Sequence, residues 1–295
     1  MKPNPDQYTK SISNRLPYAR HSIDERDVQA VVDVLRSDWL TTGPKVSELE
    51  ANFAETVGAA ESVAVSSGTA ALHTAIHALG IGPGDEVIVS SMTFAASANC
   101  VVYQGGTPVF CDVTPDTLIM DPTQVERLIT KRTKAILAVD FAGHPCDYDA
   151  LKVLCKKFNL RLLADACHSL GGVYKGINVS VLADVSAFSL HPVKHITAGE
   201  GGLVTTDSTD IANRMRAFRN HGIDVDAQQR EKRQTWAYQI QDLGFNYRLT
   251  DFQSALASSQ LQRLSENLKF RRQTAALYDE ALADLEWVVP LDRSN

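Results

Sequence analysis

The chain has few cysteines, no long apolar run and no dominant charge sign, and each shortage removes a class of protein. Its five cysteines, Cys100, Cys111, Cys146, Cys155 and Cys167, are odd in number and contain no CxxC pair. That argues against a disulfide framework or a structural metal, and for a reducing compartment, by default the cytoplasm. No apolar stretch approaches the roughly 18 residues of a membrane span, and residues 1–10 are polar, without the apolar centre of a secretory signal. The formal net charge is −6, and basic residues are scattered, as at Lys131, Arg132 and Lys134. An electrostatic grip on nucleic acid or on an anionic membrane is therefore not expected. The phosphate-binding signatures GxGxxG and GxxxxGK[ST] are missing too, which argues against a nicotinamide enzyme on a Rossmann sheet.

What remains is ordinary globular composition, 44% hydrophobic and 22% charged over 295 residues, enough for about two domains or one large α/β domain with a smaller companion. Ser22-Ile23-Asp24-Glu25 reads as a capping box, with Val28, Val31, Val32 and Leu35 on one helical face behind it. Val46, Leu49, Phe53 and Val57 mark a second amphipathic helix, and the turn-rich Trp39 to Pro44 between them suits a surface loop or the edge of a site. From residue 62 short apolar runs alternate with helical segments. Strands are predicted near residues 63–65, 87–89, 109–113, 135–139, 162–164, 185–189 and 203–205. The alternation predicts a mainly parallel sheet with helices on both faces. One of the intervening helices opens at Asp121-Pro122 and carries Val125, Leu128 and Ile129. From about Leu249 to Leu282 the pattern is purely helical.

Ligands of such sheets bind at the carboxyl ends of the strands, and chemistry-bearing residues gather at those positions here. Ser66-Ser67-Gly68-Thr69 follows the first strand and opens a helix with Leu72, Ile76 and Leu79 on its apolar face. Open amides, hydroxyls and a glycine make a phosphate cradle, although an ordinary helix cap uses the same residue types. After the second strand stands Phe94, able to stack on a flat ring or to fill core. Asp165 directly follows the apolar Leu162-Leu163-Ala164, where a carboxylate needs a cation or hydrogen bonds; a structural ion pair would answer that need as well as a ligand. Ser189 ends the sixth strand, and Lys194 follows between His191 and His195, ahead of the glycine-rich residues 199–202. Most lysines are simply solvated, but one shielded from water beside other cations is a nucleophile toward carbonyls. A phosphate cradle, a stacking aromatic, a carboxylate for a pyridinium and an imine-forming lysine together match the needs of pyridoxal 5′-phosphate. Each pKa unit that a carboxylate adds to the ring nitrogen favours its protonated form by about 1.4 kcal/mol.

In order and spacing, SSGTAALH (66–73), TFAASAN (93–99), DACHS (165–169), FSLHPVKHITAGEGG (188–202), FRNHGI (218–223) and GFNYRLTDFQSALASSQL (244–261) resemble the sugar aminotransferases of the DegT/DnrJ/EryC1/StrS family. The resemblance covers nearly the whole chain. It implies a fold type I transferase, with a seven-stranded sheet domain over residues 1–250 and a connecting helix plus the start of a small C-terminal domain over 251–295. It further implies Lys194 as the Schiff-base lysine, Asp165 beside the pyridine nitrogen, His168 next to it, Gly68, Thr69 and Ser189 on the phosphate, and Phe94 on the ring. Asn246 matches an asparagine that reaches the cofactor of a second subunit, so a homodimer with shared sites is expected. Family members that are dehydratases carry a histidine at the lysine position; Lys194 favours transamination. Within the family TTGP (41–44), DFAGHPCD (140–147), HPVKHIT (191–197) and LGFNYRLTDFQ (243–253) are most similar to the branch making pseudaminic acid precursors. That branch implies glutamate as amino donor and C4 of a UDP-linked 4-keto-6-deoxy-N-acetylhexosamine as acceptor. A different nucleotide sugar, aminated at C3 or C4, is the near alternative. Members usually run some tens of residues longer, so an incomplete small domain is expected, and with it a silent, cofactor-binding relative is the competing class.

Overall fold

A computed structural model of the chain describes residues 19–223, 234 and 236–292; residues 1–10 and 293–295, considered above, lie outside them. Within the described residues the order is α1 (Glu25–Leu35), α2 (Pro44–Val57), β1 (Glu61–Val65), α3 (Gly68–Ala78), β2 (Glu86–Ser90), α4 (Ala95–Tyr103), β3 (Thr107–Cys111), α5 (Pro122–Leu128), β4 (Thr133–Val139) and α6 (Tyr148–Phe158). There follow β5 (Arg161–Asp165), the small hairpin β6 (Val173–Tyr174) and β7 (Ile177–Asn178), β8 (Val185–Ser189), β9 (Gly202–Thr206), α7 (Thr209–Phe218), α8 (Asp251–Leu261) and α9 (Leu264–Leu282).

The seven predicted strands form one seven-stranded sheet, ordered β1-β9-β8-β5-β4-β2-β3. Six run parallel, and β9 lies antiparallel to both its neighbours. The third strand stops at Cys111 rather than residue 113, because Val113 turns away to bridge Met120. Strand side chains alternate between two cores. Val63, Val87, Leu137, Leu163 and Val204 face α3, α4 and α7, whereas Ala64, Ile88, Ile136, Leu162 and Leu203 face α2, α5, α6 and α8. That period of two lets buried strands serve both layers of a parallel sheet. On the second face Phe53 of α2 meets Phe188 of β8 edge to face, ring centroids 5.4 Å apart, a geometry worth about 0.5–1.5 kcal/mol beyond burial.

α2, α5 and the predicted helical stretch after Leu249 form as expected, the last broken into α8 and α9 at Gln262-Arg263. The first helix differs. Its cap is Asp24, not Ser22: the Asp24 carboxylate accepts from the amides of Arg26 and Asp27 at 3.0 and 3.2 Å, and Asp27 accepts from the Asp24 amide at 3.1 Å. A carboxylate complements the positive helix end better than a hydroxyl, and the Ser22 carbonyl is taken by Gln260. The buried stripe shifts with it. Asp27 and Val34 are buried, while Val28 and Leu35 are 46% and 58% exposed, because α1 docks on α8 through a polar contact: Asp27 accepts from Ser259, Gln260 and Arg263.

Candidate active site

Parallel β1, β2, β5 and β8 end on one edge of the sheet, and the residues singled out above follow those ends. At the end of β1 Ser67 caps α3, its hydroxyl accepting from the Ala70 amide at 3.0 Å. That leaves the amides of Gly68 and Thr69, in the first turn of α3, without an acceptor among the described residues. Gly68 packs directly against Ser189 at the end of β8; a Cβ on Gly68 would stand 2.9 Å from the Ser189 Cβ and 3.1 Å from its Oγ. Gly202 makes the same turn possible from the other side, since a Cβ there would collide with the Ser67 carbonyl. Two hydroxyls, two open amides and a helix N-terminus thus converge without an acidic side chain among them, a donor set suited to a phosphate.

Asp165 ends β5, between β4 and β8 in the sheet, and is 6% exposed. Its carboxylate accepts from the Ser97 hydroxyl at 2.6 Å and from the Cys167 amide at 3.3 Å. Ser97 in turn shares a 2.6 Å hydrogen bond with Thr93. Phe94, at the start of α4, is 75% exposed, so its ring offers a face to a ligand and contributes nothing to the core. His168 lies at the surface within electrostatic reach of Lys194 and Asp165; the protein around it and then Lys194 hold its pKa below the ordinary imidazole value, with Asp165 opposing. Lys194 is half-buried, and no carboxylate among the described residues pairs with its ammonium. His195 is forced down to about 4 by burial, followed by Arg271, His168 and Lys194. A cavity of about 670 Å³, lined by Phe141, Gly143, His168, Lys194, Arg271 and Ala275 among others, opens beside the lysine.

The structure therefore brings Gly68 to Ser189 and places Asp165 and His168 at the end of β5 and Lys194 beyond the end of the adjoining β8, on one sheet edge. Asn246 stands apart. It is exposed on an extended segment that bridges Asn220, while its neighbours Phe245 and Tyr247 turn inward onto Phe218 and His73. The Tyr247 carbonyl accepts from the Ser66 amide at 2.9 Å, which ties this segment to the cradle.

Sequence inspection missed Ser97 and Asp140. Ser97 had one available signal, a hydroxyl one helical turn past Phe94 behind a strand end. Asp140 follows β4, fully buried, and accepts from Ser169, Cys146 and Tyr148 at 2.6, 3.0 and 2.9 Å. Burial raises its pKa to about 6 despite those donors, and it fixes the turn on which His168 sits. Among the described residues no group of His, Cys, Asp and Glu could hold a metal ion, the five cysteines are free thiols, and no helix is long and apolar enough to cross a membrane.

Comparison with known proteins adds to this geometry. The spore coat polysaccharide biosynthesis protein SpsC of Bacillus subtilis is 39% identical over 275 residues, 93% of this chain and 71% of its own. Among solved structures, Helicobacter pylori PseC, an aminotransferase involved in pseudaminic acid biosynthesis, superposes with a TM-score of 0.85 at 34% identity, over 92% of this chain and 71% of its own. The sugar aminotransferase Spr1654 of Streptococcus pneumoniae in its PLP form gives 0.84 at 34% identity, over 91% of this chain and 72% of its own. A family model matches residues 21–295. With that match, the fold and relatives of this similarity, the chain belongs to the DegT/DnrJ/EryC1/StrS aminotransferase family.

Proposed function

We propose that this sugar aminotransferase moves an amino group from glutamate to C4 of a UDP-linked 4-keto-6-deoxy-N-acetylhexosamine, as in the making of pseudaminic acid. The cofactor of the family is pyridoxal 5′-phosphate, and the residues present suit it. The observation that carries the reading is the placement of Lys194, free of any ion-pair partner among the described residues, beyond the end of β8, with Asp165 buried and hydrogen-bonded at the end of the adjoining β5.

When bound, pyridoxal 5′-phosphate supplies the electron sink that lets a proton leave the α-carbon of the donor. In this reading the open amides of Gly68 and Thr69 and the Ser189 hydroxyl hold the phosphate. Phe94 covers one face of the ring, and His168 stands beside it. Asp165, oriented by the Ser97 hydroxyl and the Cys167 amide that donate to it, would hold a proton on the ring nitrogen. The Lys194 Nζ would carry the proton between the donor carbon and the cofactor carbon, which asks of it the mobility of an unpaired amine. Asn246 is exposed as a residue reaching a second subunit would be, in support of a homodimer with shared sites. Residues 1–250 serve as the cofactor domain and 251–295 as connecting helices toward a smaller one. The pathway and the free thiols fit the cytoplasm. The pseudaminic assignment draws on the sequence motifs and on PseC; at 34% identity another nucleotide sugar is the second candidate.

The test is the purified chain loaded with cofactor, offered glutamate and a panel of 3-keto and 4-keto UDP- and dTDP-sugars. Lys194→Ala is expected to abolish the visible chromophore and all transamination. Asp165→Asn is expected to keep the cofactor and to slow turnover by several orders of magnitude. A chromophore that survives Lys194→Ala, or wild-type turnover in Asp165→Asn, removes the reading; preference for another sugar removes the substrate assignment alone.

A further inference from the structure

Residues 190–199, which carry Lys194, contain no helix or strand, yet they must hold one amine still. Two backbone hydrogen bonds act within the loop, from the Lys194 amide to the His191 carbonyl at 2.9 Å and from the Ala198 amide to the Leu190 carbonyl at 3.0 Å, and the Thr197 hydroxyl adds one to the Leu190 carbonyl at 3.1 Å. The carbonyls of Val193, Lys194 and His195 are satisfied from α9. One guanidinium nitrogen of Arg271 donates to Val193 at 3.1 Å and to Lys194 at 2.6 Å, and the Asn267 amide donates to His195 at 3.2 Å. Residues 267 and 271 are one turn apart on a single helix face. Between them Leu268 seats the helix against the core and against Gly171, where any Cβ would strike it. Of the α9 residues only Leu264 is buried, so the grip on the lysine loop is a principal attachment of this helix.

We propose that Arg271 is a positioning residue for Lys194, with Asn267 as its auxiliary: α9 sets where the backbone of the lysine stands and so where its amine can reach. The proposal rests on Lys194 being the reacting amine. A charged donor makes the stronger hydrogen bond, and a planar guanidinium bridging consecutive carbonyls fixes the tilt of the peptide between them. Arg271 holds this place at the surface, where partial loss of hydration lowers the pKa of the guanidinium but leaves it a cation. Misplacing a reacting group by about 1 Å can cost on the order of a hundredfold in rate.

The experiment compares full-length wild type with Arg271→Met, which keeps the apolar stem, and Arg271→Lys, which can satisfy one carbonyl. Amide hydrogen exchange over residues 190–199 is measured without cofactor, and the rate of appearance of the Lys194-dependent chromophore is measured on adding pyridoxal 5′-phosphate. In Arg271→Met we expect exchange in that loop to accelerate at least about tenfold while β5 stays protected, and the chromophore to form about ten to a hundred times more slowly. Arg271→Lys should recover part of both. Unchanged exchange and unchanged chromophore kinetics in a folded Arg271→Met protein overturn the proposal. Should that variant not fold, Asn267→Ala is read the same way, with a smaller acceleration expected and no change counting against the clamp. If wild type itself forms no Lys194-dependent chromophore, the aminotransferase reading fails, and the exchange arm alone decides whether α9 orders the loop.

Discussion

Gly68 has no room for a side chain, because Ser189 occupies the place where its Cβ would stand. The contact brings the end of β8 to the start of α3 and keeps two amides free for an anion. Gly68→Ala must push Ser189 aside, an overpacking that costs about 1–3 kcal/mol, and the displaced group is part of the cradle. Cofactor affinity is therefore expected to fall about tenfold to a hundredfold while the cooperative unfolding transition survives; titration of the chromophore at increasing cofactor concentration measures it. An affinity equal to wild type would mean that Ser189 plays no part in phosphate binding. At this scale much of the candidate site was legible, because Gly68, Asp165, Ser189 and Lys194 each follow a strand end. Ser97 and Arg271 were not, since each acts across the fold on a residue 68 or 77 positions away, and nothing in either side chain announces its partner.

The segment bearing Asn246 shows how elements share the work. Its Phe245 and Tyr247 rings join Phe218, Tyr103 and His73 in one cluster, with His77 stacked on Phe218 at 3.9 Å. His73 lies on α3, buried, bonded to the Tyr247 hydroxyl at 3.0 Å and to Gln104 at 2.7 Å. Burial, and then His77, lowers its pKa from 6.5 to about 4. Between those two values the unfolded chain binds a proton that native His73 refuses. Its contribution to stability is thus complete above pH 6.5 and is lost as pH falls toward 4. His73→Gln is expected to flatten the acid slope of unfolding free energy in that window by up to about 1.4 kcal/mol per pH unit, read from urea midpoints at several pH values; an unaltered slope would place the proton elsewhere. The strands were legible as elements because strands buried on both faces stand out as short, continuous apolar runs between helical segments. The face of α1 was not. Apolar spacing nominated Val28 and Leu35, but a buried carboxylate, Asp27, decides how the helix sits.

Across the whole molecule two buried acidic side chains fasten the beginning of the described chain to its end. Asp27 accepts from Ser259, Gln260 and Arg263, and Asp251 accepts from the amides of Gly43 and Lys45 at 2.8 and 2.9 Å. Arg263→Met strands the Asp27 charge in the interior and is expected to cost about 3–5 kcal/mol. The double variant Asp27→Leu with Arg263→Met should cost clearly less than the sum of the two single changes, as a denaturant double-mutant cycle would report. Strict additivity would show that the pair is not coupled.

These fastenings also bear on how the chain is made. A ribosome releases Asp27 well before Arg263, 236 positions later, and the edge strand β1 before its sheet neighbour β9. Until then α1 and α2 have no α8 to settle on and β1 has no pairing partner, so the earliest residues wait, exposed, on the last ones. Contacts this distant in sequence slow folding, and an unpaired strand edge invites association with other chains. Until α8 and β9 have emerged, α1, α2 and β1 are therefore the part of a nascent chain most open to association with other chains.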